Sequence, residues 1–301
     1  MPSFLSPALK GALCSLLAFT IWACSDSLTK IAGLAGVPPY VIIALSGWSA
    51  ALVVFLKVFW QGEVNRLRPA SWKLHIFRGI VLFAGGGVIN TMAFTMLPLT
   101  TVYVGLFSAP LILSAIGRFF LGEKIGKRRI TAILVGFVGV LIALLPDMLN
   151  GGHLDVEASP FVAYLILFLF LGVFVMDMLL MRIMGKTETV ESLAFVPFVV
   201  RGFVLLPCLF FVPLSEISLP IWGAVFGMGI LAGVGYLFAA MAYKLAPVSI
   251  VAPFHYTQLI SGGVLGYLLW GHVPSIWVWG GAVLIVFSSV LTTRAAQKYE
   301  E

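Results

Sequence analysis

Asp26 and Lys30 stand one helical turn apart inside an otherwise apolar stretch of chain. An acid and an amine at i, i+4 can neutralise each other on one helix face, with the lysine stem reaching outward. They can also divide a solute between them, the acid taking an amino group or a proton and the amine a carboxylate. A charge at bilayer depth costs about 2.5–3.5 kcal/mol, so each such group needs a partner or a task. Ser15, Phe19, Trp22, Asp26, Thr29 and Gly33 recur at helical spacing, which turns one polar stripe towards a bundle interior. Arg201 sits eight residues into another apolar run, beyond easy snorkelling, and must meet a carboxylate, backbone carbonyls, water or an anion. Asp177 has Arg182 five residues on, a poor spacing for one helix face, so a partner on another helix or a cavity role is open to it. His255, Tyr256 and Gln258 share a further apolar run with Gly262 and Gly266, and the glycines allow a neighbouring helix to come close. Asn90, Tyr103 and Tyr236 add polar tips elsewhere, for solute contact or for ordinary interhelical hydrogen bonds.

Other chemistries find no footing. The methionines 176, 178, 181 and 184 do not share one narrow face, and packing explains them better than a soft metal. Cys14, Cys24 and Cys208 lack paired spacing and all lie in apolar runs, so they read as small buried hydrophobes. No glycine-rich loop ends in Lys-Ser or Lys-Thr, which leaves no place for ATP hydrolysis. His255 has no evident serine in a strained turn, and Asp26 and Asp177 stand alone rather than clustered for a metal. We expect no enzyme, no cofactor and no metal.

The elements that must position these groups are membrane helices. The chain is 61% hydrophobic and 10% charged, with a mean hydropathy of +1.09, against about 25% charged residues in a soluble domain. The surplus is a lipid-facing surface. The net charge of +6 lies in short clusters between apolar runs without interleaved aromatic residues, which fits membrane topology and excludes a nucleic-acid partner. Apolar windows predict ten spans, at about 10–31, 38–59, 73–96, 99–121, 129–146, 160–183, 193–213, 218–243, 248–270 and 275–294. The first follows a single lysine and carries Asp26 and Lys30, so it reads as a retained helix and not a cleaved leader.

The chain also repeats itself. Laying Leu245 over Met96 brings Pro98 onto Pro247, Val102 onto Val251, Gly117 onto Gly266 and Gly122 onto Gly271. The repeats are expected at 9–146 and 160–294, joined by an external loop at 147–159. Five spans is an odd number, so the second set enters from the opposite side and the repeats are inverted. Of the 18 lysines and arginines, all but Lys30 and Arg201 fall at or towards one side of a ten-span layout, which puts both termini in the cytoplasm. Glu123 falls among the basic residues at a cytoplasmic helix end, as a cap or ion pair.

These residues resemble the drug/metabolite transporter superfamily in its EamA-type branch. The likeness rests on Trp22 with Lys30, Pro98-Leu99-Thr100-Thr101, Leu121-Gly122-Glu123, and the echoed Pro247 and Gly271. More narrowly, Ser25-Asp26 before Lys30, the run from His75 to Gly79, Asp177, and Ala252-Pro253-Phe254 with Tyr256 and Leu259 are similar to bacterial S-adenosylmethionine uptake carriers. Related carriers of amino acids and riboflavin share much of this pattern. The resemblance implies a ten-helix inner-membrane carrier with a cavity lined mainly by spans 1, 3, 4, 6, 8 and 9, and spans 5 and 10 as scaffold. His255, Gln258 and His272 stand where the relatives would be expected to carry arginine, glutamate and glutamate. The first exchange makes a permanent cation titratable, and the second removes its counter-charge.

The expectation is therefore an all-α polytopic secondary transporter working by alternating access on a small amphoteric metabolite, an amino acid or a derivative. Export is the commoner role among such carriers; uptake of S-adenosylmethionine or a riboflavin-like vitamin is the alternative, and a non-transporting scaffold or sensor a further one. Asp26 would face an amino group or proton, and Lys30 and Arg201 a carboxylate. Trp22, Tyr103, Tyr236 and Tyr256 would pack the solute, and His255 and Gln258 would orient it.

Overall fold

The structure is a computed structural model that describes residues 7–109, 112, 127–149, 154–185, 187–245, 254 and 256–297. Among these every regular element is helical. Helix α1 spans Pro7–Leu34 and α2 Pro39–Trp60; α3, Trp72–Phe77, runs through a π-helical stretch, Arg78–Gly85, into α4, Gly86–Met96. Then come α5, Leu99–Leu106; α6, Lys127–Leu149; α7, Pro160–Met184; α8, Val190–Leu205; α9, Leu219–Leu245; α10, Thr257–Trp270; and α11, Ile276–Gln297. In lipid the backbone must satisfy its own hydrogen bonds, and helices do so within one segment.

Six stretches among the described residues are long and apolar enough to cross a membrane: Leu9–Leu34, Pro39–Trp60, Trp72–Met96, Pro160–Met181, Val190–Phe211 and Leu219–Ala242. They coincide with the expected spans 1, 2, 3, 6, 7 and 8. Shorter apolar helices, Leu134–Pro146 and Ile276–Ser288, occupy the places of spans 5 and 10. The expected spans 4 and 9 lie partly outside the described residues, as does the Leu121-Gly122-Glu123 motif. Large apolar side chains such as Leu52, Leu169, Val283 and Phe287 are exposed, as lipid-facing residues must be in a chain of this composition.

The helices pair in a pattern that survives exchange of the two halves. Numbered as spans, 1 packs on 8 and 6 on 3, which the exchange interconverts, while the pairings 2 with 7, 4 with 9 and 5 with 10 each map onto themselves. Close approach at several crossings depends on glycine. A Cβ at Gly229 of α9 would stand 2.3 Å from the Ser46 carbonyl oxygen and 2.8 Å from its Cα, and both are backbone atoms of α2 that cannot swing away. Gly229→Ala is expected to lower stability by about 1–3 kcal/mol, the usual cost of overpacking. A lowered melting temperature of the detergent-solubilised protein would register it, and an unchanged one would mean that α2 and α9 have room to separate.

Candidate functional site

A cavity of about 150 Å³ opens between the π-helical stretch, α4, α7 and α8. Phe83, Phe170 and Phe174 wall it, and Asn90, Asp177 and Arg201 supply its polar groups. The Trp72–Met96 segment reaches it through the π turn, where the Gly86 N–H bonds the carbonyl five residues back, at Val81. Such turns shift the register of a helix and are frequent at functional sites. Gly86 keeps the approach to α7 close, since a Cβ there would lie 2.3 Å from Val173.

The three polar groups are in different states. Asp177 is spoken for: Arg78 Nε donates to its Oδ1 at 2.8 Å. Arg78 is fully buried, and its Nη1 donates to the Leu193 carbonyl at 3.1 Å. That carbonyl needs a donor for a local reason. Pro197, four residues on within α8, has no N–H to give it, and Arg78 fills the gap. Asp177 thus finds its partner on another helix. Arg78 lies inside the Trp72–Met96 span and is neutralised across the bundle.

Arg201 is different. It is 6% exposed, and its Nη2 donates to Ser46 Oγ at 3.2 Å while the guanidinium lies 4.7 Å from the Phe198 ring centroid. Its Nε is buried without an acceptor, and among the described residues no carboxylate pairs with it. Gly47 makes room, since a Cβ there would be 3.0 Å from Nε. Asn90 makes no hydrogen bond among the described residues either, so its amide is open to the cavity. Among the described residues the cavity therefore holds one charge, Arg201, without a compensating carboxylate.

Asp26 and Tyr103 meet elsewhere. The Tyr103 hydroxyl donates to Asp26 Oδ2 at 2.8 Å, and its ring packs edge-on to Phe94 and close under Gly262. Trp22 spends its indole N–H on the Ala232 carbonyl, joining α1 to α9. Tyr236 packs edge-on to Phe198 and points its hydroxyl at Met181 sulfur. Tyr256 packs edge-on to Phe107, and Gln258 is half-buried at the start of α10. His255 lies outside the described residues.

Of the two readings open to Lys30, the pair with Asp26 and its outward-reaching stem is not what the structure shows. Lys30 is fully buried, and its Nζ donates to the carbonyls of Phe94 at 3.0 Å and Leu97 at 2.6 Å, and to Asp155 Oδ2 at 2.6 Å. Three donors meet three acceptors. The two carbonyls are orphans at the C-terminal end of α4, where a cation is favoured.

A second network lies at the other end of the Trp72–Met96 segment, and the sequence reading missed it. Glu188 accepts from the backbone N–H groups of Ala70 and Ser71 and from the Ser192 hydroxyl, with His75 Nε2 3.3 Å away. Glu191 pairs with Lys57 at 2.6 Å, and Thr189 caps α8 by accepting from Ser192 N–H. A run Thr-Glu-Thr-Val-Glu-Ser before an apolar stretch is a capping signal that could have marked Glu188 and Glu191. Burial pushes the Glu188 carboxyl up, but the donors from Ala70, Ser71, Ser192 and His75 outweigh it and hold it below its ordinary 4.5. A depressed carboxylate stabilises the fold above its unfolded pKa, and that stability is lost as pH falls through the lower folded value. Glu188→Gln is therefore expected to melt lower than the parent at pH 7, by about 1.5–3 kcal/mol for lost charged hydrogen bonds. The gap should close in acid, below the folded value of Glu188; melting curves from pH 7 down to pH 3 check both limbs.

What the fold and cavity define is a multi-pass helical membrane protein with a small polar hollow between its two halves. The comparisons with known proteins carry this to a family. The model of the EamA-like transporter family matches residues 9–145 and again 160–294, so the chain belongs to that family, within the drug/metabolite transporter superfamily, and is a membrane transporter. It is 26% identical to an S-adenosylmethionine uptake transporter of Rickettsia felis over 83% of this chain and 81% of that one. It is 26% identical to a riboflavin transporter of Brucella anthropi (92% and 96%), and 23% identical to a pseudopaline exporter of Pseudomonas aeruginosa (94% and 96%). A solved crystal structure superposes with a TM-score of 0.68 at 20% identity, covering 97% of this chain and 99% of the other, and shares the fold.

Proposed function

We propose that the chain is a ten-span carrier of the inner membrane, built as inverted repeats at 9–146 and 160–294 around the external segment 147–159, with both termini cytoplasmic. It moves a small amphoteric metabolite, an amino acid or a derivative, by alternating access and in the export direction. The observation that carries this is the Arg201 guanidinium in an aromatic-walled cavity, without a carboxylate partner among the described residues, beside the Asn90 amide. A guanidinium fork suits a carboxylate, and Asn90 and the phenylalanine rings suit the rest of a small organic solute. The volume of about 150 Å³ is below the roughly 300–1,000 Å³ of drug-sized pockets, which favours a small solute over a riboflavin-sized one. Asp177 is neutralised by Arg78, so it serves as a wall and not as an ammonium site; Asp26, whose described partner is the Tyr103 hydroxyl, lies outside this hollow and is the acid that takes a proton, or the amino group once the solute leaves the hollow. Tyr103, Trp22, Tyr236 and Tyr256 support these groups, and His255 and Gln258 orient the solute from span 9.

The rival reading is uptake of S-adenosylmethionine, the activity for which the Rickettsia felis relative is named, or of riboflavin, the solute for which the Brucella anthropi relative is named. Size and charge separate them: both solutes are larger than a hollow of about 150 Å³, riboflavin brings no carboxylate for Arg201, and S-adenosylmethionine adds a sulfonium cation to the carboxylate that an amino acid already offers. Purified protein in liposomes, preloaded with unlabelled solute and offered labelled amino acids, riboflavin or S-adenosylmethionine, tests the assignment by counterflow. Exchange of a carboxylate-bearing amino acid is expected; exchange of S-adenosylmethionine alone, or of no solute in any arm, would refute the reading.

A further inference from the structure

Lys30 belongs to a larger cluster that the cavity does not use. Asp155, on the segment between the two halves, presents both carboxylate oxygens. Oδ2 takes the Lys30 ammonium of α1 at 2.6 Å, and Oδ1 stands 2.7 Å from His272 Nε2 just beyond α10. The Asp155 N–H donates to the Met96 carbonyl at 3.0 Å, so its backbone also closes the end of α4. The Trp270 ring lies 5.4 Å from Lys30 Nζ and stacks on His272 at 6.2 Å, sheltering the cluster. Gly271, in the left-handed region at φ 69°, turns the chain sharply enough for the His272 N–H to return to the Gly266 carbonyl, which places the imidazole over Asp155. One carboxylate thus ties the first half, through α1, to the second half, through the end of α10. The histidine holds its side of the bridge as a neutral donor or as a cation.

We propose that Asp155 is the latch that closes this end of the transport path, and that opening here requires it to release Lys30 or His272. Alternating access needs the two halves to part at one end while they stay joined at the other. At this end the described ion pairs that join them both pass through one side chain. Lys30, with its three donors consumed, then acts as a positioning residue in the closed state.

The test measures exposure of the cavity and needs no transported solute, so it stays readable if the solute assignment fails. In a background with Cys14, Cys24 and Cys208 replaced by alanine, a reporter Phe174→Cys is placed in the cavity wall. Right-side-out and inside-out vesicles are treated with a membrane-impermeant maleimide. D155N is expected to label at least tenfold faster than the parent from the face carrying residues 154–159, with no rise from the opposite face. H272Q, which keeps the Lys30 contact, should fall between them, and D155E should return towards the parent. An unchanged rate in D155N would overturn the latch. So would an equal rise from both faces, which is the mark of general loosening.

Discussion

Replacing Arg201 by methionine is expected to abolish carboxylate transport while leaving the melting temperature unchanged or raised. Removing one partner of a buried, hydrogen-bonded charge pair costs about 2–5 kcal/mol of binding, or about 30-fold and upward in counterflow at 1.4 kcal/mol per tenfold. Stability should move the other way. In the free carrier Arg201 gains only the Ser46 hydroxyl and the face of Phe198 against the cost of burying a guanidinium, so an apolar side chain of similar length relieves the fold. R201K keeps the charge and loses the fork; partial activity with raised KM is the expected outcome. Counterflow and melting curves on the same preparations decide it. An Arg201→Met protein that melts several degrees low would assign Arg201 to the scaffold instead.

The second large effect concerns Arg78 and Asp177, for which the sign reverses. Asp177→Asn leaves Arg78, fully buried, with an uncompensated charge, and the expected loss is about 3–5 kcal/mol of stability. R78M also strips the donor from the Leu193 carbonyl, which adds about 1–3 kcal/mol for an unsatisfied buried acceptor. The double variant R78M/D177L has no orphaned charge, and its deficit should shrink to roughly that carbonyl term of about 1–3 kcal/mol. Thermal melts of the parent, both singles and the double measure the coupling directly. A double variant as unstable as the sum of the singles would show that the two side chains do not act as a pair.

Much of this architecture is legible in the chain. The expected spans 1, 2, 3, 6, 7 and 8 appear where apolar windows put them, because only a helix can cross hydrocarbon with its backbone satisfied. Arg201 as a buried charge in need of a carboxylate, carbonyls, water or an anion, Asp177 as a group open to a partner on another helix or to a cavity role, and Asn90 as a polar tip were all visible as residues that do not belong in lipid. A pairing of Asp26 with Lys30 was one of two readings the sequence left open, and the structure shows Lys30 on other acceptors. Helical spacing makes an i, i+4 pair possible but cannot say that Lys30 will find its acceptors in the buried carbonyls at the end of α4 and in Asp155.

Residue type and apolar period marked a helical membrane protein in two related halves, because the bilayer imposes length and dryness on any chain that crosses it. Which charge meets which was decided in three dimensions. Lys30 and Asp155 are 125 residues apart, Arg78 and Asp177 are 99, and Arg201 and Ser46 are 155. At such separations only the crossing of one helix over another brings the groups within reach. That crossing leaves Arg201 alone in the cavity and Arg78 neutralised beside it, although both are single arginines set in apolar runs of the sequence.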